Sequence, residues 1–253
     1  MRIFDAHFHI IDPRFPLVPN DGFVPEPFTV ADYRERVAGL GVAGGAVVSG
    51  SFQAFDQAYL TDALERLGPG FAGVTQLPAT ATDEEIAALD AAGVRAVRFN
   101  LRRGGSEAVG HLEPLAHRVF ELAGWHVELY VDGRELPGLE RRLLALPRVS
   151  IDHLGLHPGG LPTLLRLVER GVKVKATGFG RAELDVPGAL RAIAAVDPGA
   201  LLFGTDLPST RARRPFADDD VALVERVLSP GDARAALAEN AVAWYRPRHH
   251  GDG

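Results

Sequence analysis

Cysteine is absent from the 253 residues. Its absence removes disulfides and thiolate metal ligands together, so any metal would have to be held by histidine and carboxylate side chains. Lysine is nearly absent too. Lys173 and Lys175 are the only ones, and arginine supplies the remaining positive charge, which reads as a lineage bias. The net charge of −6 and a pI near 5.8 give no global basic field to draw the chain to nucleic acid or an anionic membrane. No apolar run approaches the ~18 residues that a membrane-spanning helix needs, and no basic-then-apolar leader precedes the first apolar stretch. The expectation is a cytoplasmic protein with no nucleic-acid or membrane partner, its oligomeric state left open. No Pro/Gly/Ser-rich linker divides the chain. Residues 1–245 are expected to form one domain and 246–253 a flexible tail, so His249 and His250 are excluded from site reasoning.

The chain is 46% hydrophobic, enough for one large core, and its apolar residues are patterned. Strand-like runs fall at 3–10, 43–49, 71–77, 94–100, 125–132, 149–153, 172–177 and 201–206. Amphipathic helical stretches lie between them. Thr82 with Glu85 three residues on reads as a capping box, and the last stretch, 230–244, as one closing helix. Eight strands, each followed by a helix, predict a parallel sheet closed into a single-domain (β/α)8 TIM barrel. An open doubly wound sheet fits less well, because no Gly-x-Gly-x-x-Gly turn follows any strand. The Pro-rich stretch 12–27 is long enough to be an active-site loop.

In such a barrel the site forms at the C-terminal strand ends. By alternation, Asp5, His7 and His9 share one face of the first strand and Phe4, Ala6, Phe8 and Ile10 the other, which would meet the helices. Strand two offers Ser49 and Ser51, strand four Arg98 and Asn100. Strand five puts His126, Glu128, Tyr130 and Asp132 on one face. Strand six ends at His153, strand seven carries Lys173, Lys175 and Thr177 with Arg181 beyond, and strand eight ends at Asp206. Singly, each has an ordinary reading: His153 a structural histidine, Asp206 a turn residue, Arg98 a rim ion pair with Glu128 or Asp132. His126 reads as a supporting residue, and His111, His117 and His157 as surface. The joint placement of His7, His9, His153 and Asp206 is what points to a site.

Asp-Ala-His-Phe-His at 5–9, Ile-Asp-His at 151–153 and Gly-Thr-Asp-x-Pro at 204–208 resemble the amidohydrolase superfamily. The stretches 94–100, 124–127 and 149–155 resemble the branch containing 2-pyrone-4,6-dicarboxylate lactonase and sugar-lactone hydrolases. The resemblance implies hydrolysis of a lactone or similar ester-like carbonyl, with Asp206 as general base for water. It implies that His7, His9 and His153 either polarise the carbonyl or hold a divalent metal. It also implies that Ser51, Arg98, Tyr130 and Arg181 bind the carboxylates of a small anionic substrate, with Arg102 or Arg103 as a further clamp. Two departures stand out. Tyr130 occupies the place where metal-dependent relatives have a histidine, and Leu207, Ser209 and Thr210 replace the branch's usual Trp and His after the strand-eight aspartate. The expectation is therefore a metal-free hydrolase. The alternatives are a metal-dependent hydrolase or decarboxylase, with one zinc held by His7, His9 and Asp206 and by His153 or Glu128, and a non-catalytic binding protein.

Overall fold

The computed structural model describes residues 2–247. Strands β1 (Ile3–Phe8), β2 (Val42–Val48), β3 (Phe71–Thr75), β4 (Val94–Asn100), β5 (His126–Tyr130), β6 (Val149–Ile151), β7 (Lys173–Ala176) and β8 (Leu201–Phe203) lie side by side in that order, each parallel to the next. Helices α1 (Val30–Val37), α2 (Ala58–Leu67), α3 (Asp83–Ala92), α4 (Leu112–Ala123), α5 (Leu136–Leu143), α6 (Leu161–Glu169), α7 (Val186–Val196) and α8 (Asp219–Val227) alternate with them. This is the expected (β/α)8 barrel. Its seam closes just beyond β8, where the Asp206 N–H donates to the His7 carbonyl and the His9 N–H to the Leu207 carbonyl, each at 2.7 Å. α3 starts where the capping box predicted, with Thr82 accepting from the Glu85 N–H. The closing helix is interrupted: α9 (Pro230–Arg234) and α10 (Asn240–Tyr245) are joined by a π turn over Ala235–Glu239. Of the expected tail, Arg246 donates to the Gly124 carbonyl at 2.8 Å, and 248–253, with His249 and His250, lie outside the described residues.

The barrel interior is layered. At its N-terminal end, small strand residues (Ala6, Ala46, Ala72, Ala96) leave room for Trp244 and Tyr245 of α10, which plug the barrel from below. A larger apolar layer between strands and helices forms the main core. The mouth at the C-terminal ends is thereby left to polar groups.

The first strand does not alternate strictly. Its register against β2 slips between Asp5 and Phe8, so a β-bulge re-phases the chain. Phe4 and Ala6 face the barrel interior, whereas Ile3, Phe8 and Ile10 join the helix-facing core. Asp5 therefore does not share the face of His7 and His9. It is buried in the wall, accepting from Tyr33 Oη on α1 at 3.0 Å and from the Thr205 N–H and Oγ1 at 2.8 and 2.7 Å, which ties β1 to α1 and to the end of β8. Burial, opposed by those donors, pushes its carboxyl up to about 6.

Gly204 makes the seam possible, because a Cβ there would stand 2.6 Å from the His7 nitrogen and 2.9 Å from its Cβ. Gly204→Ala must push β8 from β1 and should cost about 2 kcal/mol by urea unfolding, as overpacking of a tight core does. Unchanged stability would show that the seam yields freely.

Candidate active site at the barrel mouth

His7 and His9 reach the mouth from β1, where the bulge and the bonds to Asp206 and Leu207 fix them. His153 and Asp206 follow β6 and β8 directly. Both take left-handed backbone, with φ of 52° and 61°, a conformation rare for residues with a side chain. Such strain collects at functional sites and persists only where the surroundings enforce it. All four side chains are buried.

The four converge. The His7 and His153 ring centroids are 4.8 Å apart, and the Tyr130 ring meets His153 edge-on at 5.0 Å. Asp206 Oδ1 lies 3.9 Å from His7 Nε2 and 3.9 Å from His9 Nε2. Among the described residues, His7 Nε2, His153 Nδ1, Asp152 Oδ1 and Asp206 Oδ1 are buried with no hydrogen-bond partner. Buried polar atoms without partners are costly, and several together mark a place for a ligand or water. His9 is oriented from behind: its Nδ1 is 2.7 Å from the Val48 carbonyl oxygen, which can only accept. The proton is thus on Nδ1, and Nε2 offers a lone pair toward Asp206.

The expected carboxylate-binding residues divide. Arg98 donates from Nε and Nη2 to Asp152 Oδ2 at 3.2 and 2.8 Å, and from Nη1 to the Ser49 carbonyl at 2.8 Å. Its ion-pair partner is Asp152, neither Glu128 nor Asp132. Arg181 uses Nε on Asp206 Oδ2 at 2.5 Å and keeps its terminal nitrogens without partners among the described residues. Arg102 is exposed on the rim, 3.4 Å from Asp132. Arg103 lines the cavity with Ser51, Tyr130, Thr210 and Arg211, and its guanidinium has no carboxylate partner among the described residues. Ser49 points away, its hydroxyl 2.6 Å from that of Tyr59. The cavity holds about 30 Å³, the room of a water, so a ring-sized substrate must part the rim. A cavity of about 580 Å³ at the other end of the barrel contains none of the candidate residues.

Sequence reasoning gave Asp152 and Lys175 no role, yet both are fully buried beneath the cavity. Lys175 binds Glu128, which also takes bonds from Tyr245 Oη and from His126 Nε2 at 3.2 Å. Ion-pair chemistry at buried strand positions was the available signal, since buried charges must be paired.

Burial shapes the protonation states. It lowers His9 to about 3 and His126 to about 4, and it holds His7 and His153 well below the ordinary imidazole range. Burial raises Asp206, and the opposing pull of Arg181 does not cancel it. Burial also raises Asp152, but Arg98 and Lys175 outweigh it and hold the carboxyl low. Two groups combine metal-ligating types within reach: His7, His9 and Asp206, and His7, Asp152 and His153. His7 is common to both.

An eight-stranded parallel barrel with one histidine in β1, others just after β1 and β6, and an aspartate after β8 gathers these groups at the end where (β/α)8 enzymes hold their active sites. The amidohydrolase family profile matches residues 4–246, and the chain belongs to that family of enzymes. A 2-pyrone-4,6-dicarboxylate hydrolase from Comamonas testosteroni is 33% identical over 156 residues, which cover 60% of this chain and 51% of that protein, about half its length. A D-galactarolactone isomerase from Agrobacterium fabrum is 28% identical over 267 residues, covering 96% of this chain and 90% of its own. In fold, an apo structure from Agrobacterium tumefaciens superposes with a TM-score of 0.86 at 24% identity, covering 96% of this chain and 95% of that one. A structure from Pseudomonas putida gives a TM-score of 0.82 at 26% identity, covering 96% of this chain and 97% of that one.

The buried imidazoles set a pH dependence. An imidazole kept neutral in the folded chain, but free to protonate near pH 6.5 when unfolded, lets the unfolded chain bind more protons below that pH, so stability falls on acidification. At pH 5, His9 and His126 each cost about 2 kcal/mol by this linkage. Asp5, raised to about 6, works the other way between pH 6 and its unfolded value, by about 1 kcal/mol. The net expectation from pH 7 to 5 is a loss of about 2 kcal/mol or more, read by urea unfolding at both pH values. Equal or greater stability at pH 5 would contradict the buried neutral imidazoles.

Proposed function

We propose that the chain opens a lactone, or a similar ester-like carbonyl, of a small carboxylate-bearing molecule with a water that Asp206 activates. The observation that carries this reading is the convergence of unpartnered His7 Nε2 and Asp206 Oδ1 at the barrel mouth, beside the bare Nε2 of His9 and with the His153 ring centroid 4.8 Å from that of His7. His9 Nε2 and Asp206 Oδ1, at 3.9 Å, are too far apart for a bond and near enough for one water to donate to both. A carboxylate raised by burial is a stronger base, so Asp206 takes the water's proton as its oxygen attacks the carbonyl. His7 and His153 face the oxygen on which negative charge develops. The tetrahedral adduct then expels the ring oxygen, which takes the proton from Asp206 and leaves as a hydroxyl. One water is consumed and one carbon–oxygen bond broken.

For the substrate's carboxylate, the available cations are Arg103 and the terminal nitrogens of Arg181, with the hydroxyls of Ser51 and Tyr130 alongside, whereas Arg211 donates from both terminal nitrogens to Asn20. Arg98 contributes less than its position suggested, because Asp152 and Ser49 engage three of its nitrogens. The chemistry is read as metal-free.

The galactarolactone isomerase, which matches over 96% of the chain, favours a second reading. A hydroxyl of the substrate itself would replace water beside Asp206, and the product would be a shifted lactone instead of an open acid.

Asp206→Asn should fold normally and lose about 100-fold or more in kcat on the best substrate of a lactone panel, since an amide cannot take the water's proton. Near-normal turnover would remove Asp206 from that role. Arg103→Ala should raise KM about tenfold for carboxylate-bearing lactones and leave neutral lactones unaffected. Equal effects on both would remove the carboxylate preference.

A further inference from the structure

Lys175 projects from β7 into the barrel directly below the cavity and is completely buried. The chain's other lysine, Lys173, sits at the start of the same strand, paired with Asp197. Lys175 Nζ binds Glu128, lies 3.3 Å from His7 Nδ1 and stands 3.9 Å from Asp152 Oδ1. An ammonium has three donors and no acceptor. Facing His7 it can only donate, so Nδ1 must carry the lone pair and the proton of the neutral ring must sit on Nε2.

A competing partner stands beside it. Asp152 Oδ1 is 3.7 Å from the same Nδ1 and has no hydrogen bond among the described residues. Were Asp152 to accept a hydrogen bond from an Nδ1–H, Nε2 would carry the lone pair, the arrangement by which a carboxylate turns a histidine onto a metal ion. The two neighbours of one ring nitrogen thus demand opposite chemistry of the other, which faces Asp206. Lys175 is the nearer, and Arg98 already holds the other oxygen of Asp152.

We infer that Lys175 is a positioning residue that holds His7 as the Nε2–H tautomer, making it a hydrogen-bond donor to the carbonyl oxygen; with Nε2 carrying the proton and the Nδ1 lone pair engaged by Lys175, neither ring nitrogen is left for either metal-ligand set of the cavity. Without His7, one set keeps His9 and Asp206 and the other Asp152 and His153. Neither then offers the three protein ligands of a catalytic zinc site. His9, with its proton on the Val48 side, presents the opposite face, so the two imidazoles of β1 place one donor and one acceptor at Asp206. The donor role rests on the hydrolase reading, while the tautomer and the metal affinity belong to the resting protein and are measured without turnover.

The test is histidine-selective ¹⁵N NMR on the whole metal-stripped protein, with His7 assigned from the signal missing in His7→Gln. The expected spectrum has His7 protonated on Nε2 and His9 on Nδ1, and a His7 ring protonated on Nδ1 overturns the proposal. The second arm titrates zinc by calorimetry. Lys175→Met should bind one zinc about tenfold or more tighter than the unaltered chain, with His7 moving to Nδ1–H. Equal affinities overturn the proposal, as does tight zinc binding by the unaltered chain that His7→Gln abolishes. Lys175→Met leaves buried carboxylates short of a cation, so Lys175→Met/Glu128→Gln, which removes one charge of each sign, repeats the titration. If neither variant folds, the spectrum of the unaltered chain decides alone. An Nε2–H His7 in a protein that turns over no lactone would uphold the tautomer and reject the hydrolase reading.

Discussion

Everything at the mouth of this barrel hangs on charge pairing without water. Arg98, Lys175 and Arg181 stand inside the barrel or at its lip against Asp152, Glu128 and Asp206, nearly all shut off from solvent. Removing such ions from water is expensive, and the penalty is offset only when each ion meets its partner at close range. The same pairing makes the site rigid. Asp206 cannot turn without breaking its bond to Arg181, and Asp152 cannot move without breaking its bonds to Arg98, which the Ser49 carbonyl also holds. A buried carboxylate, its counter-ion and the imidazoles around them are therefore held in place together, the preorganisation on which electrostatic catalysis depends.

The fold supports that network from below and from the side. Alanines on the inner strand faces admit Tyr245, whose hydroxyl reaches both the Ala6 carbonyl and Glu128, so the last helix touches the charged layer directly. On the flank, Asp5 draws β1, α1 and the end of β8 together, and the bulge beside it turns His7 inward. Stability and chemistry are linked here through shared residues.

Much of this was legible in the sequence. The strand–helix alternation announced the barrel, and the strand-end positions of His7, His9, His153 and Asp206 announced a site whose side chains do meet. The placement of Asp5 was not legible. Strict alternation put it beside the histidines, and a one-residue bulge, which has no sequence signature here, moved it to the wall. The arginines were harder still. Sequence showed Arg98 and Arg181 at the right strand ends, but not that Asp152 and Asp206 would bind them, because pairing across a barrel depends on register and depth. Lys175 looked like any polar residue of alternating strand seven. Only the fold shows it under His7.

The central claim is that water, activated at Asp206, opens a ring ester. The most direct measurement follows the oxygen: turnover of a carboxylate-bearing lactone in ¹⁸O-labelled water, with the product analysed by mass spectrometry and ¹³C NMR. The account predicts an open hydroxy acid with the label in the newly formed carboxylate and none in the released hydroxyl. An unlabelled product with the lactone shifted to another hydroxyl, or a label in the hydroxyl, would contradict it.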